Sequence, residues 1–384
     1  MQTYGLNLPG VVYSGENSIA KIKDILLQNR SKKPVFFTTA GIRDTGLLDL
    51  VLAELPEEMK DPAVIDDLAV EPTYTEAQRV VDQCNELNAD FLVAVGGGSV
   101  IDATKLVSML LHSDLTVKDL LDDPSRARKQ VPLLVIPTTA GTGAEATPNA
   151  IVAVPEKELK VGIVNSEMVA DYVLLDSRTT KNLPRSIAAS TGVDALCHAV
   201  ECYTSNKANP ISDCFAIRAL EMIMKNIVPA CDDKEALEAK EQMLIASFFA
   251  GIAIAASGTT AVHALSYPLG GKYHIAHGVA NAMLLTPVMR FNEPVIAPKL
   301  ADAYDRCYAD GKDLTEAEKA DRFITKMEEI VRHLDIPTDL TKFGVPREDL
   351  ESLVESGMDV KRLLNNNMRE VTADDARAIY LQVM

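Results

Sequence analysis

The first half of the chain alternates short apolar runs, typical of buried β-strands, with longer runs that have helical periodicity. A helix between successive strands connects them as parallel neighbours, because an antiparallel hairpin needs only a short turn. This half therefore predicts a parallel sheet with helices on its faces. A charged turn between two short β-type runs near residues 151–164 also predicts a hairpin. The predicted strands are 34–39, 63–68, 91–95, 132–136 and 172–175, and the predicted helices are 45–55, 75–88 and 99–111.

The pattern changes near residues 180–186, where Asn182-Leu183-Pro184 interrupts the alternation. Beyond this point helical patterns dominate, and no strand-like run matches those of the first half. The 384 residues suit two domains of ordinary size. We predict an α/β dinucleotide-binding domain over 1–184 and an all-α metal-binding, catalytic domain over 185–384. The predicted helices are 186–204, 210–228, 234–256, 259–267, 279–290, 295–308, 315–334 and 347–357.

Two glycine-rich turns follow predicted strands of the first half. The first is Gly96-Gly97-Gly98-Ser99, which opens a helix, and the second spans 137–145. Glycines allow close backbone approach, and a helix N-terminus offers free N–H groups to phosphate. A tight turn with Ser99 and Asp102 at capping-box spacing is the structural alternative. The usual GxGxxG spacing is absent, so the pair predicts a variant cradle for a dinucleotide pyrophosphate at the carboxyl ends of the strands.

Four potential metal ligands stand out in the second half, namely Asp194, His198, His263 and His277. Asp194 and His198 are four residues apart, which places both on one face of a helix. Three imidazoles and one carboxylate suit Fe(II), Zn(II), Co(II) or Mn(II), and they leave room for an exchangeable oxygen. Such a set predicts a catalytic metal. Cys197 is a weaker candidate as a soft ligand, and core packing is its alternative role.

Composition excludes several classes of partner. A net charge of −17 is unfavourable for binding nucleic acid or an anionic membrane surface. The six cysteines form no CxxC pair, which is typical of reduced thiols in a cytoplasmic protein. The N-terminus lacks the pattern of a signal peptide. Residues 242–271 carry no Lys, Arg, Asp or Glu, but their Ser, Thr, Gly and His content favours a buried core helix over a membrane span.

Along the chain, four motifs follow one another: Gly-Gly-Gly-Ser-x-x-Asp, Pro-Thr-Thr-x-Gly-Thr-x-x-Glu, Asp-x-x-x-His and two later histidines. Motifs of this kind in this order resemble the iron-containing (group III) alcohol dehydrogenase family, over roughly residues 5 to 370. The resemblance implies the four metal ligands above, a small-molecule alcohol or aldehyde substrate, and a homodimer or larger homo-oligomer. It also implies that NAD(H) or NADP(H) is bound by Gly97, Gly98, Ser99, Asp102, Thr138, Thr139, Thr142 and Lys160.

The chain departs from the family pattern at three places. Thr39 stands where many NAD-preferring members carry an Asp that binds the ribose 2′-hydroxyl, so NADP(H) is also expected to fit; Arg43 lies nearby in sequence. Tyr267 stands four residues after His263, where some members have a histidine. His274, Tyr267 and solvent are the candidates for proton transfer, and packing beside Pro268 is the alternative role of Tyr267. Asn367-Met368-Arg369 replaces the late Asn-Pro-Arg motif.

The sequence therefore predicts a metal-dependent NAD(P)-linked alcohol dehydrogenase or aldehyde reductase. It would act on a small primary alcohol, diol or hydroxy-aldehyde by hydride transfer at a metal-bound alkoxide. The alternative is a dehydroquinate-synthase-like or glycerol-dehydrogenase-like enzyme of the same fold acting on a polar polyol. A metal-dependent hydrolase could use the same ligands but would not need two glycine-rich turns. The substrate, the native metal, the reaction direction and the choice between NAD and NADP stay open.

Overall fold

A computed structural model describes residues 3–69, 72–157 and 159–384. The remaining positions (1, 2, 70, 71 and 158) fall in the predicted first domain and lie outside the described residues. Contacts between residues divide the chain into two compact units. One is Asn7–Leu183, called here the α/β unit, and the other is Pro184–Met384 together with the N-terminal residues up to Leu6, called the helical unit. The domain limits 1–184 and 185–384 stay a prediction.

A parallel six-stranded sheet forms the centre of the α/β unit, with strand order β1-β8-β5-β4-β2-β3. This arrangement confirms the predicted fold class. The residues of β4 and β5 are all buried, which explains why both strands are continuous apolar runs in the sequence. The strands are β1 (Val11–Ser14), β2 (Pro34–Phe37), β3 (Ala63–Ile65), β4 (Phe91–Gly96), β5 (Leu133–Pro137), β6 (Asn149–Val154), β7 (Leu159–Val164) and β8 (Tyr172–Leu175).

Strands β6 and β7 pair antiparallel as the predicted hairpin. Strand β1 was not predicted, because it is short, lies at one edge of the sheet and has all four residues exposed. A strand of that kind lacks the alternation or continuous apolar character from which strands are recognised. Strand β3 ends at Ile65, three residues before the predicted limit.

Helices pack against this sheet, and their ends agree with local sequence signals. Helix α4 begins with a capping box in which Thr73 and Glu76 each satisfy a backbone N–H of the other. The predicted helix 45–55 is observed only over Leu47–Leu52 (α3), and Gly46, left-handed with φ of 75°, separates it from a helix at Ala40–Asp44 (α2) that was not predicted. The helices are α1 (Lys21–Gln28), α2 (Ala40–Asp44), α3 (Leu47–Leu52), α4 (Tyr74–Leu87), α5 (Gly98–Leu110) and α6 (Val117–Asp122).

Helices make up the regular structure of the helical unit throughout its described residues, as predicted. Helix α11 corrects the prediction of separate helices at 279–290 and 295–308. It runs unbroken for 31 residues and contains Pro287, Pro294 and Pro298. The helices are α7 (Arg185–Tyr203), α8 (Pro210–Asp232), α9 (Leu237–Ser257), α10 (Ala261–Tyr273), α11 (His277–Cys307), α12 (Glu316–His333), α13 (Leu350–Met358), α14 (Lys361–Leu364) and α15 (Ala373–Tyr380).

The continuity of α11 has a packing explanation. Each proline lacks a backbone N–H and opposes helix continuation. However, Leu284, Val288, Ile296 and Leu300 form a buried face that extends past all three prolines. Burial of four such side chains contributes about 1.5–3 kcal/mol each relative to exposure. Tertiary packing therefore outweighs the local break signals that suggested two helices.

Helix α9 is the single described helix that is long and apolar enough, by length and composition, to cross a membrane. Within its most apolar 18-residue window, 61% of the residues are buried inside the protein. A core helix of a globular domain gives the same signal, and α9 packs against both α7 and α8. The burial of α9 and its contacts with α7 and α8 agree with the prediction that residues 242–271 contain a buried core helix.

Candidate functional site

The four predicted metal ligands come together in the helical unit from three helices. Asp194 and His198 lie one turn apart on α7, His263 is in the first turn of α10, and His277 is the first residue of α11. One potential ligand atom from each side chain lies within 4.8 Å of the others. The Nε2 atoms of His198, His263 and His277 lie 3.8, 3.8 and 3.5 Å from Asp194 Oδ1.

Burial differs among the four side chains. Asp194, His198 and His263 are nearly fully buried, whereas 34% of the His277 side chain is exposed. The His198 and His263 rings stack with centroids 4.6 Å apart, and His277 approaches the ring of His263 edge-on at 5.2 Å. The cluster is therefore buried except beside His277, where it is accessible.

Electrostatics favour an ionised carboxylate at the centre of this cluster. Burial alone would raise the pKa of Asp194, but His198, His277 and His263 outweigh it, so the pKa lies below its ordinary value. Burial would lower the pKa of His263, whereas Glu201 and Asp194 raise it to above its ordinary value. In the metal-free protein, protonated histidines stabilise the negative charge of Asp194. A bound metal cation would supply that positive charge instead.

The donor set fits a divalent transition metal. Ligand atoms about 2.0–2.2 Å from a tetrahedral ion lie roughly 3.4 Å from one another. The separations from Asp194 Oδ1 approach this value, and imidazole with carboxylate suits iron, zinc, cobalt and manganese. The geometry therefore matches a metal centre with four protein ligands.

Two further buried residues contact the cluster, and the sequence analysis missed both as functional residues. Glu201 on α7 contacts Nδ1 of His263 in a very short hydrogen bond. Asn281 on α11 donates from Nδ2 to Asp194 Oδ1 at 2.7 Å. Both lie inside the motifs that pointed to the metal site, three residues after His198 and four after His277. This helical spacing was the available signal.

The two glycine-rich turns meet at one edge of the sheet in the α/β unit. Strands β4 and β5 are neighbours, with Gly96 opposite Pro137, so the turns that follow them are adjacent. A Cβ atom on Gly97 would lie 3.3 Å from Thr139 Oγ1, and one on Gly98 would lie 2.9 Å from Thr142 Cγ2. Glycine is therefore required for the close packing of the two turns, and no side chain caps the N-terminus of the 13-residue helix α5. A pyrophosphate fits such a cradle.

The remaining predicted cofactor residues of the α/β unit have different surroundings. Thr39 follows β2 and caps α2, where its hydroxyl accepts from Ile42 N at 3.4 Å. Asp102 is buried on α5, and its Oδ2 accepts from Ile151 N at 3.0 Å. Lys160 lies on β7, opposite Ala153 of β6. Asp102 is thus bonded to backbone of the hairpin.

Arg43, which the sequence suggested as a neighbour of the ribose site, forms a very short ion pair with Asp66. Asp66 comes directly after β3, and β3 pairs with β2. The pair is largely exposed on the arginine side. A 2′-phosphate at this edge would therefore have to compete with Asp66 for the guanidinium group.

The two proton-transfer candidates occupy unlike positions in the helical unit. Tyr267 lies on α10 with its ring centroid 6.0 Å from that of His277, and burial raises the pKa of its hydroxyl. His274 is exposed and ends α10 in a left-handed conformation with φ of 54°. Cys197 is fully buried, and burial with two nearby carboxylates raises its pKa well above the ordinary thiol value. This thiol is therefore suited to packing.

Comparisons with known proteins agree with this architecture. The family model "Iron-containing alcohol dehydrogenase" matches residues 9–177, and "Fe-containing alcohol dehydrogenase family, C-terminal" matches residues 188–384. The chain is 34% identical over 338 residues to long-chain-alcohol dehydrogenase 1 of Geobacillus thermodenitrificans, covering 87% of this chain and 85% of that protein. It is 28% identical to the NAD-dependent methanol dehydrogenase of Bacillus methanolicus, covering 97% of each. A crystal structure of a 1,3-propanediol oxidoreductase matches with a TM-score of 0.91, 28% identity and full coverage of both chains.

The chain therefore belongs to the iron-containing alcohol dehydrogenase family. Its enzymatic class is that of the alcohol dehydrogenases, which are oxidoreductases, and small-molecule alcohols and aldehydes are the substrates of this class. The predicted family and the predicted enzyme class, alcohol dehydrogenase, are confirmed. The matches favour this class over the dehydroquinate-synthase-like and glycerol-dehydrogenase-like alternatives.

Proposed function

We propose that this protein is a metal-dependent, NAD(P)-linked alcohol dehydrogenase or aldehyde reductase for a small primary alcohol, diol or hydroxy-aldehyde. The observation that carries the proposal is the cluster of Asp194, His198, His263 and His277, whose potential ligand atoms lie within 4.8 Å of one another. Family membership supplies the reaction class, and the glycine-rich cradle supplies the reason to expect a dinucleotide.

In this proposal the four clustered side chains hold Fe(II), with Zn(II), Co(II) or Mn(II) as chemically equivalent choices. A divalent ion held there would supply Lewis acidity toward a substrate oxygen. The family name supports iron, whereas the donor set accepts all four ions. The protein's part is to present three neutral imidazoles and one carboxylate in fixed positions and to leave access beside His277.

We further propose residues 1–184 as the dinucleotide-binding domain and 185–384 as the metal-binding and catalytic domain. A bound NAD(H) or NADP(H) would supply the hydride chemistry. Backbone N–H groups at the start of α5 would bind the pyrophosphate, and glycines would let it approach. The residues proposed for this site are Thr39, Gly97, Gly98, Ser99, Asp102, Thr138, Thr139, Thr142 and Lys160.

The choice between NAD(H) and NADP(H) depends in this proposal on Thr39 and its neighbours. A threonine does not repel a 2′-phosphate as an aspartate would, which supports use of NADP(H). The pairing of Arg43 with Asp66 opposes it, because a carboxylate already neutralises the nearest predicted cation. The relative named as a methanol dehydrogenase is NAD-dependent. We therefore propose that both cofactors bind, with NAD(H) preferred.

Proton transfer to or from the substrate oxygen is assigned to His274 and Tyr267 as alternatives. His274 is exposed and can exchange protons with solvent. Tyr267 lies beside His277, but its raised pKa keeps the hydroxyl protonated at neutral pH. Because it is exposed to solvent, His274 is the better acid–base candidate, and Tyr267 is the better candidate for a substrate contact.

Two features support a small, fairly apolar substrate and a homo-oligomer. The stretch 246–262 is almost entirely Ala, Ile, Phe, Gly, Ser and Thr, which suits an apolar substrate. Relatives named for methanol and propanediol support a small one, whereas the relative named for long-chain alcohols supports only its apolar character. The edge strand β1 exposes Val11, Val12 and Tyr13, which a second copy could cover.

We propose a cytoplasmic location because the six cysteines are free and mostly buried.

A reconstitution assay tests the proposed function. Protein loaded with Fe(II) or Zn(II) is mixed with NADH or NADPH and with C2–C5 aldehydes, and nicotinamide absorbance is followed. We expect metal-dependent oxidation of the reduced cofactor, faster with NADH. Absence of turnover across the panel, with metal and cofactor both shown to bind, would contradict the small-alcohol proposal and favour a polar or phosphorylated substrate.

A further inference from the structure

Glu201 is a fully buried carboxylate whose two oxygens have separate partners. Oε1 accepts from Thr260 N at 3.0 Å, from the Thr260 hydroxyl at 2.7 Å and from Val262 N at 2.8 Å. Oε2 contacts Nδ1 of His263. Oε1 therefore caps the start of α10, whereas Oε2 contacts a single imidazole nitrogen.

This division of partners has a consequence for His263. A carboxylate oxygen accepts hydrogen bonds, so Nδ1 must carry the proton that it donates. A neutral imidazole has one protonated nitrogen, and Nε2 then presents its lone pair toward Asp194 and the cluster. The negative charge also raises the basicity of Nε2 as a ligand atom.

Asn281 makes the complementary contact on the carboxylate ligand. Its Nδ2 donates to Asp194 Oδ1 at 2.7 Å and lies 3.1 and 3.2 Å from Nε2 of His263 and His277. The residue is completely buried, and among the described residues its Oδ1 has no hydrogen-bond partner. Because Asn281 is fully buried, its hydrogen bond to Oδ1 fixes the orientation of the Asp194 carboxylate.

We propose that Glu201 and Asn281 are positioning residues of the metal centre, one fixing the tautomer of His263 and the other the orientation of Asp194. The inference rests on the proposed metal-dependent function. A buried carboxylate is costly unless it is compensated, and helix capping alone would use only Oε1. The contact of Oε2 with a predicted ligand is the part that capping does not explain.

The substitution Glu201→Gln separates capping from positioning. Four donors face Oε1, namely the three from Thr260 and Val262, and His263 N at 3.5 Å. The amide oxygen of Gln must therefore take that place, and its NH2 group must face His263 Nδ1. Nδ1 then becomes an acceptor, and the proton of the neutral ring moves to Nε2, where it opposes metal binding. We expect Zn(II) affinity, measured by chelator competition on the full chain, to fall about 10- to 100-fold.

Two readouts distinguish positioning from a general loss of structure. Nitrogen-15 NMR of His263 in the metal-free proteins should place the proton on Nδ1 in the wild type and on Nε2 in Glu201→Gln. The absorption spectrum of the Co(II)-loaded proteins reports ligand geometry and should change in Glu201→Gln and in Asn281→Leu. Asn292→Leu is the matched control, because Asn292 is also buried on α11 but pairs with Asn367 away from the cluster.

The outcomes are distinct. Unchanged Zn(II) affinity and Co(II) spectrum in both Glu201→Gln and Asn281→Leu would overturn the positioning roles while leaving the proposed function intact. Equal losses in Asn281→Leu and Asn292→Leu would overturn the role of Asn281. Failure of the wild-type protein to bind Zn(II), Co(II) or Fe(II) would contradict the proposed function itself. Loss of affinity with the tautomer shift, and with Asn292→Leu unaffected, supports the inference.

Discussion

In the helical unit the candidate site consists of side-chain atoms, whereas in the α/β unit it consists largely of backbone that glycines leave exposed. The candidate metal cluster needs particular donors from three helices, and two of them, His263 and Asp194, are held by contacts with Glu201 and Asn281. The cradle needs backbone without Cβ atoms, because a Cβ on Gly98 would lie 2.9 Å from Thr142 Cγ2. The candidate metal site therefore depends on which ligand atoms are present, and the candidate cradle depends on the absence of Cβ atoms at its glycines.

The largest expected effect concerns the metal cluster. We expect His263→Ala to remove most bound metal and to reduce kcat/KM by at least about a thousandfold, since Lewis-acid stabilisation contributes several kcal/mol and each 1.4 kcal/mol is about tenfold. Dinucleotide affinity, measured by NADH fluorescence, should stay within about twofold because the cradle belongs to the other unit. His333→Ala, which removes an exposed histidine paired with Asp232, is the control. Full activity of His263→Ala would refute the metal site.

The cradle should respond to an added methyl group rather than to a removed one. In Gly98→Ala the new Cβ would lie 2.9 Å from Thr142 Cγ2. Overpacking costs about 1–3 kcal/mol, so we expect NADH affinity to fall between about 5- and 150-fold while metal content stays unchanged. The double variant with Thr142→Ser lacks Cγ2 and should recover part of the affinity.

Gly41→Ala is the matched control for this experiment, because a Cβ at Gly41 meets nothing within 4 Å. If Gly98→Ala binds NADH as tightly as Gly41→Ala does, the cradle is not the dinucleotide site. If Gly98→Ala loses metal as well as NADH, the contrast between the two sites fails.

The same contrast explains what the sequence could predict. Metal donors are few and chemically distinctive, so the sequence alone predicts Asp194, His198, His263 and His277, whose potential ligand atoms lie close together in the structure. The glycine turns were identified because they follow apolar strands. Glu201 was missed because its role depends on the approach of α10 to α7, which no local pattern encodes.

Other differences from the sequence prediction have the same origin. The exposed edge strand β1 has no distinctive pattern of its own and is formed by pairing with β8. Helix α11 continues through three prolines because its packed face outweighs their local effect. The partner of Arg43 is Asp66, which directly follows the neighbouring strand β3 and is distant in the chain. Each of these features is decided by contacts between distant segments.

Cofactor choice gives a smaller expected effect within the α/β unit. Thr39→Asp places a carboxylate where it can accept from a ribose 2′-hydroxyl and repel a 2′-phosphate. A hydrogen bond to a charged group contributes about 1.5–3 kcal/mol, so the ratio of NADH to NADPH affinity should rise at least about tenfold. Thr45→Asp adds the same charge at an exposed position one helix end away and serves as the control. An unchanged ratio would remove Thr39 from the proposed cofactor site.

The smallest expected effect tests proton transfer at the edge of the metal region. His274 has a left-handed backbone, so His274→Asn is preferable to alanine because asparagine tolerates that conformation. Positioned acid–base groups contribute about 10²–10⁴ to rate, but the exposure of His274 lets water replace it, and we expect a loss of only about threefold. His112→Asn is matched in exposure and backbone, with φ of 59°. Recovery of His274→Asn by imidazole buffer would support a proton-transfer role, whereas rates equal to those of His112→Asn would leave the metal cluster as the principal catalytic feature of the helical unit.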